Sequence, residues 1–390
     1  MDRATPTVGS LTNAGRGVAF SAGLCSAVLL LPPIQTRFND AGMRWLYVLL
    51  LSYLITVGLT PLVRELALKV GAVDQPSPRK IHQAATPLLG GVAVYLAFLI
   101  ALLANARGMV DPLIVTEGIL GVLIGGTMLF LVGIRDDIRE VPALTKLLVQ
   151  VTAAGIVVWS GKLLTLFPHG LMGNALNVLL TVFWIVGITN AFNFFDGMDG
   201  LATGLAIIIA FFMGIVAFQT SQSPLGWVAV ALIGSGLGFL PYNFRPRRSA
   251  TIFLGDAGST FLGFTLACLA VKGNWARGRP IVSLSIPILI FGILIYDMVL
   301  MTVERIYTGK VTTLRQYLEY VGKDHMHHRL ERALGSRTGA VLMIFLLSIA
   351  LGLTGVVSRS ARTMDALFLL VQATIILVVV SILERRGRGT

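Results

Sequence analysis

The stretch Asn190-Ala-Phe-Asn-Phe-Phe-Asp-Gly-Met-Asp-Gly200 interrupts a chain of apolar runs, and the runs on either side of it, 173–192 and 200–219, read as helices. At 1.5 Å per residue each is long enough to cross a hydrocarbon core of about 30 Å. Two carboxylates and two amides at membrane level are costly, which argues for a functional site. A tight inter-helix turn is the competing reading, because Asp-Gly pairs form turns and Asp is a good N-cap. These residues alone leave both open.

The same texture extends over all 390 residues, of which 55% are hydrophobic and 13% charged, with a mean hydropathy of +0.81. The pattern predicts an all-α, polytopic integral membrane protein. A β-barrel is excluded because runs such as Leu284 to Leu300 do not alternate with period two. Spans are expected near 44–63, 87–104, 116–134, 144–160, 173–192, 200–219, 225–243, 258–271, 280–303, 339–357 and 364–383. That makes about eleven transmembrane helices, or twelve if the short run 17–31 also crosses. Residues 1–43 read as an N-terminal extension, 44–384 as the membrane domain and 385–390 as a basic tail. Cys25 and Cys268 both lie in apolar segments, so neither a disulfide framework nor a thiolate metal site is indicated.

Lys and Arg fall unevenly between alternate loops. One set, from Arg64 to the tail at Arg388, holds twenty, and the other holds seven, or nine with Arg37 and Arg44. The richer face is expected to be cytoplasmic, as is the C-terminus. The net charge of +12 fits that bias and also fits binding of an anionic substrate. Every polar cluster falls on this face: 74–82, Asp136-Asp137, 190–200, 253–259 and 324–329. A transporter would bury such groups near the bilayer midplane.

Five stretches carry a resemblance: Asp74-Gln-Pro-Ser-Pro-Arg-Lys-Ile-His82 with Pro87 and Gly90-Gly91, Asp136-Asp137, Asn190 to Gly200, Phe253-Leu-Gly-Asp-Ala-Gly-Ser259, and His325-Met-His-His-Arg-Leu330. In order, spacing and sidedness they resemble the polyprenyl-phosphate N-acetylhexosamine-1-phosphate transferases. The His-x-His-His-Arg-Leu form resembles the WecA/TagO-like branch, which transfers GlcNAc-1-phosphate from UDP-GlcNAc to undecaprenyl phosphate. The resemblance runs from about Leu49 to Glu384, and a chain of this family would begin near Met43. Two departures stand out. Arg247-Arg248-Ser249 looks like an insertion, and the linker between Gly309 and His325 lacks the family's Ser-Pro-Phe.

The resemblance implies an Mg²⁺-dependent enzyme, with Mn²⁺ as an alternative, in the bacterial inner membrane. The partners it implies are a UDP-N-acetylhexosamine, undecaprenyl phosphate and membrane lipids; a homodimer is left open, and no nucleic acid is expected. It places the metal at Asn193 and Asp256, catalysis at Asp136, Asp137 and Asp256, and substrate contacts at Arg79, Lys80, His82, Lys146, Asn190, Asp196, Asp199, Asn243, His325, His327, His328 and Arg329.

The residue types suit that chemistry. Joining a lipid phosphate to a nucleotide diphosphate gathers negative charge, which a divalent cation and fixed side-chain cations offset. Mg²⁺ takes one or two protein oxygens plus phosphates and water, a role open to Asp256 and Asn193. Alternatively, Asp256 caps the helix that follows it. Neighbouring residues on a helix point about 100° apart, so Asp136 and Asp137 need not act alike. Lys146 alone would read as a snorkelling lysine. The clustered histidines and Arg329 suit hydrogen bonding to sugar and diphosphate oxygens better than a Zn²⁺ site. Three functions are weighed: this transferase, a lipid-linked-sugar flippase or secondary transporter, and a CDP-alcohol phosphotransferase, whose Ala-Arg after Asp-Gly-x-x is missing at Asp196-Gly-Met-Asp.

Overall fold

The structure is a computed structural model that describes residues 13–75, 85–107, 118–161, 163–168, 170–276, 278–313, 316, 320, 322 and 324–386. Arg79, Lys80 and His82 therefore lie outside the described residues.

The fold is a helical bundle. Its helices are α1 (Asn13–Leu29), α2 (Pro32–Asp40), α3 (Arg44–Val70), α4 (Gly90–Arg107), α5 (Ile119–Ile138), α6 (Ala143–Trp159), α7 (Leu171–Phe195), α8 (Leu201–Gln219), α9 (Ser223–Asn243), α10 (Gly255–Lys272), α11 (Pro280–Ile290), α12 (Gly292–Tyr307), α13 (Met326–Leu334), α14 (Arg337–Ser358) and α15 (Thr363–Arg386). A two-residue antiparallel ribbon pairs β1 (Val73–Asp74) with β2 (Thr86–Pro87). Residues such as Leu171, Phe183 and Trp159 stay exposed on the outer surface, as an outer face against lipid requires.

Each expected span falls on a helix, but the count of eleven is not established. Among the described residues seven helices are long and apolar enough to cross a membrane, or up to nine if each bent pair is one span. Helices α4 and α6 are apolar but shorter. The continuous span expected at 280–303 is in fact broken, with α11 and α12 meeting at 80° around Phe291. Gly292, a residue of poor helix propensity, stands at the break and lets the chain change direction there.

Helix α10 is the centre of the bundle. From Ala257 to Lys272 every side chain is buried, with α4, α5, α7 and α8 packed around it. Small residues permit that closeness. A Cβ on Gly91 would strike the backbone of Gly258, and one on Gly133 would strike that of Ala257. The first turn of α10 is thereby held backbone to backbone against α4 and α5, which fixes Asp256 in space. The N-terminal helix α1 lies along α3, where Gly58 meets Ala19 and Gly23.

Candidate active site

The N-terminus of α10 organises the site. Helix starts leave N–H groups without intrahelical partners, and here carboxylates from two other segments take them. Asp137 Oδ1 accepts from Asp256 N at 2.7 Å and Oδ2 accepts from Ala257 N at 3.2 Å, while Asp196 accepts from the Gly255 backbone. Gly255 adopts φ 75°, and a Cβ there would press on the Asp137 carboxylate, so glycine suits the position on both counts. Asp256 is therefore not the cap of its own helix, and its carboxylate is left to face the cavity.

Lys146, in the first turn of α6, bridges the remaining acids. Its Nζ lies 2.9 Å from Asp136 Oδ2 and 3.0 Å from Asp256 Oδ2. Asp136 Oδ1 accepts from Val141 N at 2.6 Å, which fixes the turn between α5 and α6. Neighbouring Asp136 and Asp137 thus point apart and do different work, as the helical 100° step anticipated. Asn193 Nδ2 donates to Asp256 Oδ1 at 2.9 Å and to Ser259 Oγ at 3.1 Å. Asn190 exchanges hydrogen bonds with Gln150 of α6, a partner that went unnoticed because a lone Gln in an apolar run carries little signal.

Among the described residues no three His, Cys, Asp or Glu side chains form a metal cage. One carboxylate, Asp256, and the amide oxygen of Asn193, if turned in place of the Nδ2 that now faces Asp256, would suit the sparse oxygen coordination of Mg²⁺ completed by phosphates and water. Asn243 is buried, its Oδ1 accepting from Gly200 N and Thr203 Oγ1 and its Nδ2 donating to Ile252 O. It braces the turn that carries Asp199, which in turn accepts from Ala250 N at 2.9 Å. Burial and the nearby Asp256, Asp137 and Asp199 carboxylates push the Asp196 carboxyl well above its ordinary range.

The histidine segment forms the facing wall. His325 Nδ1 lies 2.7 Å from Asp297 Oδ2, and Asp297 Oδ1 accepts from Met326 N at 2.7 Å. Arg305 Nη2 is 3.2 Å from His325 Nε2. A guanidinium can only donate, so Nε2 accepts and the proton sits on Nδ1. Arg305 also grips Asp324 with two bonds of 2.7 and 2.9 Å. Burial would raise the Asp324 carboxyl, but the Arg305 bonds and charge prevail and hold it below its ordinary range. Arg329 donates to Glu384 Oε2 at 2.7 Å and to Asp324 O at 2.9 Å. His327 lies against Gly197; burial, then His328, His325 and Arg329, keep its pKa well below the usual value, so it is neutral.

One cavity of ≈ 2910 Å³ receives Asp136, Asp137, Lys146, Asn190, Asn193, Asp196, Asp199, Asn243, Asp256, His325, His327 and His328. Arg329 does not line it: its guanidinium stands behind the histidines, held by α15. Sequence reasoning also missed Asp297 and Glu384, although a lone Asp in an apolar run was a signal available to it. Where α6, α7 and α12 line the cavity it is an apolar groove, with Leu147, Val151, Phe183, Leu294, Met298 and Val299 on its walls. All of these polar groups gather at one end of the bundle.

The pattern of glycosyl transferase family 4 matches residues 119–274. A probable undecaprenyl-phosphate N-acetylglucosaminyl 1-phosphate transferase of Bacillus subtilis (strain 168) is 32% identical over 338 residues, covering 85% of this chain and 90% of that protein. The chain belongs to glycosyl transferase family 4. Other relatives in the family are a decaprenyl-phosphate N-acetylglucosaminephosphotransferase of Mycobacterium tuberculosis (strain ATCC 25618 / H37Rv), 32% identical over 76% of this chain and 78% of its own, and an undecaprenyl-phosphate alpha-N-acetylglucosaminyl 1-phosphate transferase of Escherichia coli (strain K12), 29% identical over 76% and 79%. Family membership and the apolar helices make this a multi-pass membrane protein. The flippase alternative finds no support.

Proposed function

We propose that the chain transfers GlcNAc-1-phosphate from UDP-GlcNAc to undecaprenyl phosphate, giving a lipid-diphosphate sugar and UMP, at the cytosolic face of the bacterial cytoplasmic membrane. The observation that carries this reading is Lys146 held between Asp136 and Asp256 where a polar cavity meets an apolar groove. The groove suits a prenyl chain entering from the bilayer, and the cavity suits a water-soluble nucleotide sugar. The relatives' names support the acceptor and the transferred group.

In the reaction a lipid phosphate oxygen attacks the β-phosphorus of the donor. A P–O bond forms there, the bond from that phosphorus to the bridging oxygen breaks, and UMP departs with the electron pair. A phosphate monoester with a second pKa of about 6 is already largely dianionic at neutral pH, so no strong base is needed. Lys146 is placed to orient the acceptor phosphate as a compact charge. Asp137 keeps α10 in position, and Asp256 with Asn193 would hold Mg²⁺. That ion would offset charge on the diphosphate.

The test is turnover by purified protein supplied with undecaprenyl phosphate, Mg²⁺ and each UDP-HexNAc separately. UMP and a lipid-linked GlcNAc are the expected products with UDP-GlcNAc. Turnover with another epimer alone would replace the sugar assignment, and none with any would overturn the proposal.

A further inference from the structure

A cluster of arginines on the cavity wall has no part in the network above. Arg245, Arg247 and Arg248 lie on the loop between α9 and α10 and line the same cavity as the aspartates. Among the described cations of that cavity, Lys146 is engaged with Asp136 and Asp256, and Arg337 with Glu331 at 2.7 Å. Among the described residues these three arginines have no carboxylate partner, and Arg247 and Arg248 are exposed. The loop itself is anchored at both ends. Thr251 N donates to Tyr242 O at 2.9 Å, Ala250 N to Asp199 Oδ2 at 2.9 Å, Phe253 N to Pro87 O at 2.8 Å and Arg64 Nε to Thr251 O at 3.2 Å. The charges are therefore carried on a braced segment.

The electrostatics of the cavity call for such a group. Asp136, Asp137, Asp196, Asp199 and Asp256 line it, and both substrates of the proposed reaction bring phosphates. Fixed cations near a cleft of this kind raise the local concentration of an anionic ligand. The shared chemistry is a phosphate, which either substrate carries. Position favours the soluble one: the loop is bonded to Asp199 and approaches α14 through Pro246, whereas the apolar part of the cavity lining comes from α6, α7 and α12. We infer that Arg245, Arg247 and Arg248 form a docking wall for the phosphates of the nucleoside-diphosphate donor, acting on donor capture and not on the chemical step. This inference rests on the proposed function for the identity of the donor.

The experiment compares the wild type with the double variant Arg247→Gln, Arg248→Gln and with Arg245→Gln. These exposed or half-buried side chains hold no partner among the described residues, so folding is retained. UMP affinity is measured by calorimetry as sodium chloride is raised, and KM for each substrate is measured at fixed salt. The expected result is roughly tenfold weaker UMP binding and a roughly tenfold higher donor KM in the double variant, with a flatter salt dependence. The kcat and the KM for undecaprenyl phosphate stay unchanged. A rise confined to the undecaprenyl phosphate KM would assign the wall to the lipid phosphate and overturn the inference. Unchanged UMP affinity and donor KM would reduce the arginines to a topological charge signal and overturn it equally. A wild type that binds UMP but does not turn over UDP-GlcNAc would defeat the proposed function, leaving the wall to be judged on UMP binding alone.

Discussion

Asp297 and His325, from α12 and the turn before α13, are joined by a 2.7 Å hydrogen bond between a carboxylate with no exposure and an imidazole on the cavity wall. The same carboxylate holds the first N–H of α13, and Arg329 lies 3.7 Å from it. One buried acid thus anchors the histidine segment to a helix otherwise dominated by apolar residues.

Replacing Asp297 with Ala removes the acceptor of His325 Nδ1 and of Met326 N. Leaving a buried donor without its acceptor costs about 1–3 kcal/mol. The melting temperature in detergent should fall by several degrees and turnover should drop with it, while Asp297→Asn, which preserves an acceptor oxygen, should fall less. A wild-type melting temperature in Asp297→Ala would show that the pair is incidental.

Asp137 and Asp256 should separate on conservative substitution. Asn is as good a helix cap as Asp, so Asp137→Asn should retain measurable turnover, and Asp137→Ala should lose about 1 kcal/mol of stability. Asp256→Asn should abolish turnover with membrane insertion intact, because it removes the carboxylate facing Lys146 and Asn193. Equal activity losses in Asp137→Asn and Asp256→Asn would refute this division of labour.

Much of this was legible in the residues, for identifiable reasons. Asp196, Asp199 and Asp256 stand out because carboxylates are rare in an apolar chain. Asp297 is equally rare, but it falls inside a run read as one span. The 80° break at Phe291 could not be read because Gly292 sits in an uninterrupted apolar stretch, and hydropathy does not register direction. The capping of α10 by Asp137 joins residues more than a hundred positions apart, and no local pattern encodes such a contact.

The neutral, buried His327 predicts a pH effect on stability. As pH falls below about 6.5 the unfolded chain protonates this side chain, whereas the folded protein, with its pKa well below the ordinary value, does not. The unfolded state then binds more protons, so stability is lost from about pH 6.5 down to the folded pKa, by at most about 1.4 kcal/mol per pH unit. Wild type should lose more melting temperature between pH 7.5 and 5.5 than His327→Gln. Parallel curves would place the pH sensitivity in other groups.

The C-terminal end of α15 reaches the site, because Glu384 holds Arg329 at 2.7 Å. The tail must therefore lie on the same side of the membrane as the cavity. A reporter fused after Thr390 should be active only if it is a cytosolic type. Activity of an externally active reporter would reverse both the orientation and the proposed access of UDP-GlcNAc.

The groove beside α7 and α12 offers a test of the proposed acceptor site. Phe183 is 76% exposed and Val299 58% exposed, and both line the cavity that Lys146 also lines. Burying prenyl carbons against them contributes about 25 cal/mol per Å² of apolar surface, so changing both to Ser should cost about 1.5 kcal/mol of acceptor binding, roughly tenfold in its KM. The donor KM should not change, since neither residue belongs to the polar end of the cavity. Parallel titrations of undecaprenyl phosphate and UDP-GlcNAc on Phe183→Ser, Val299→Ser would decide this. If only the donor titration shifted, the groove would belong to the nucleotide sugar, and the acceptor would have to enter by another face.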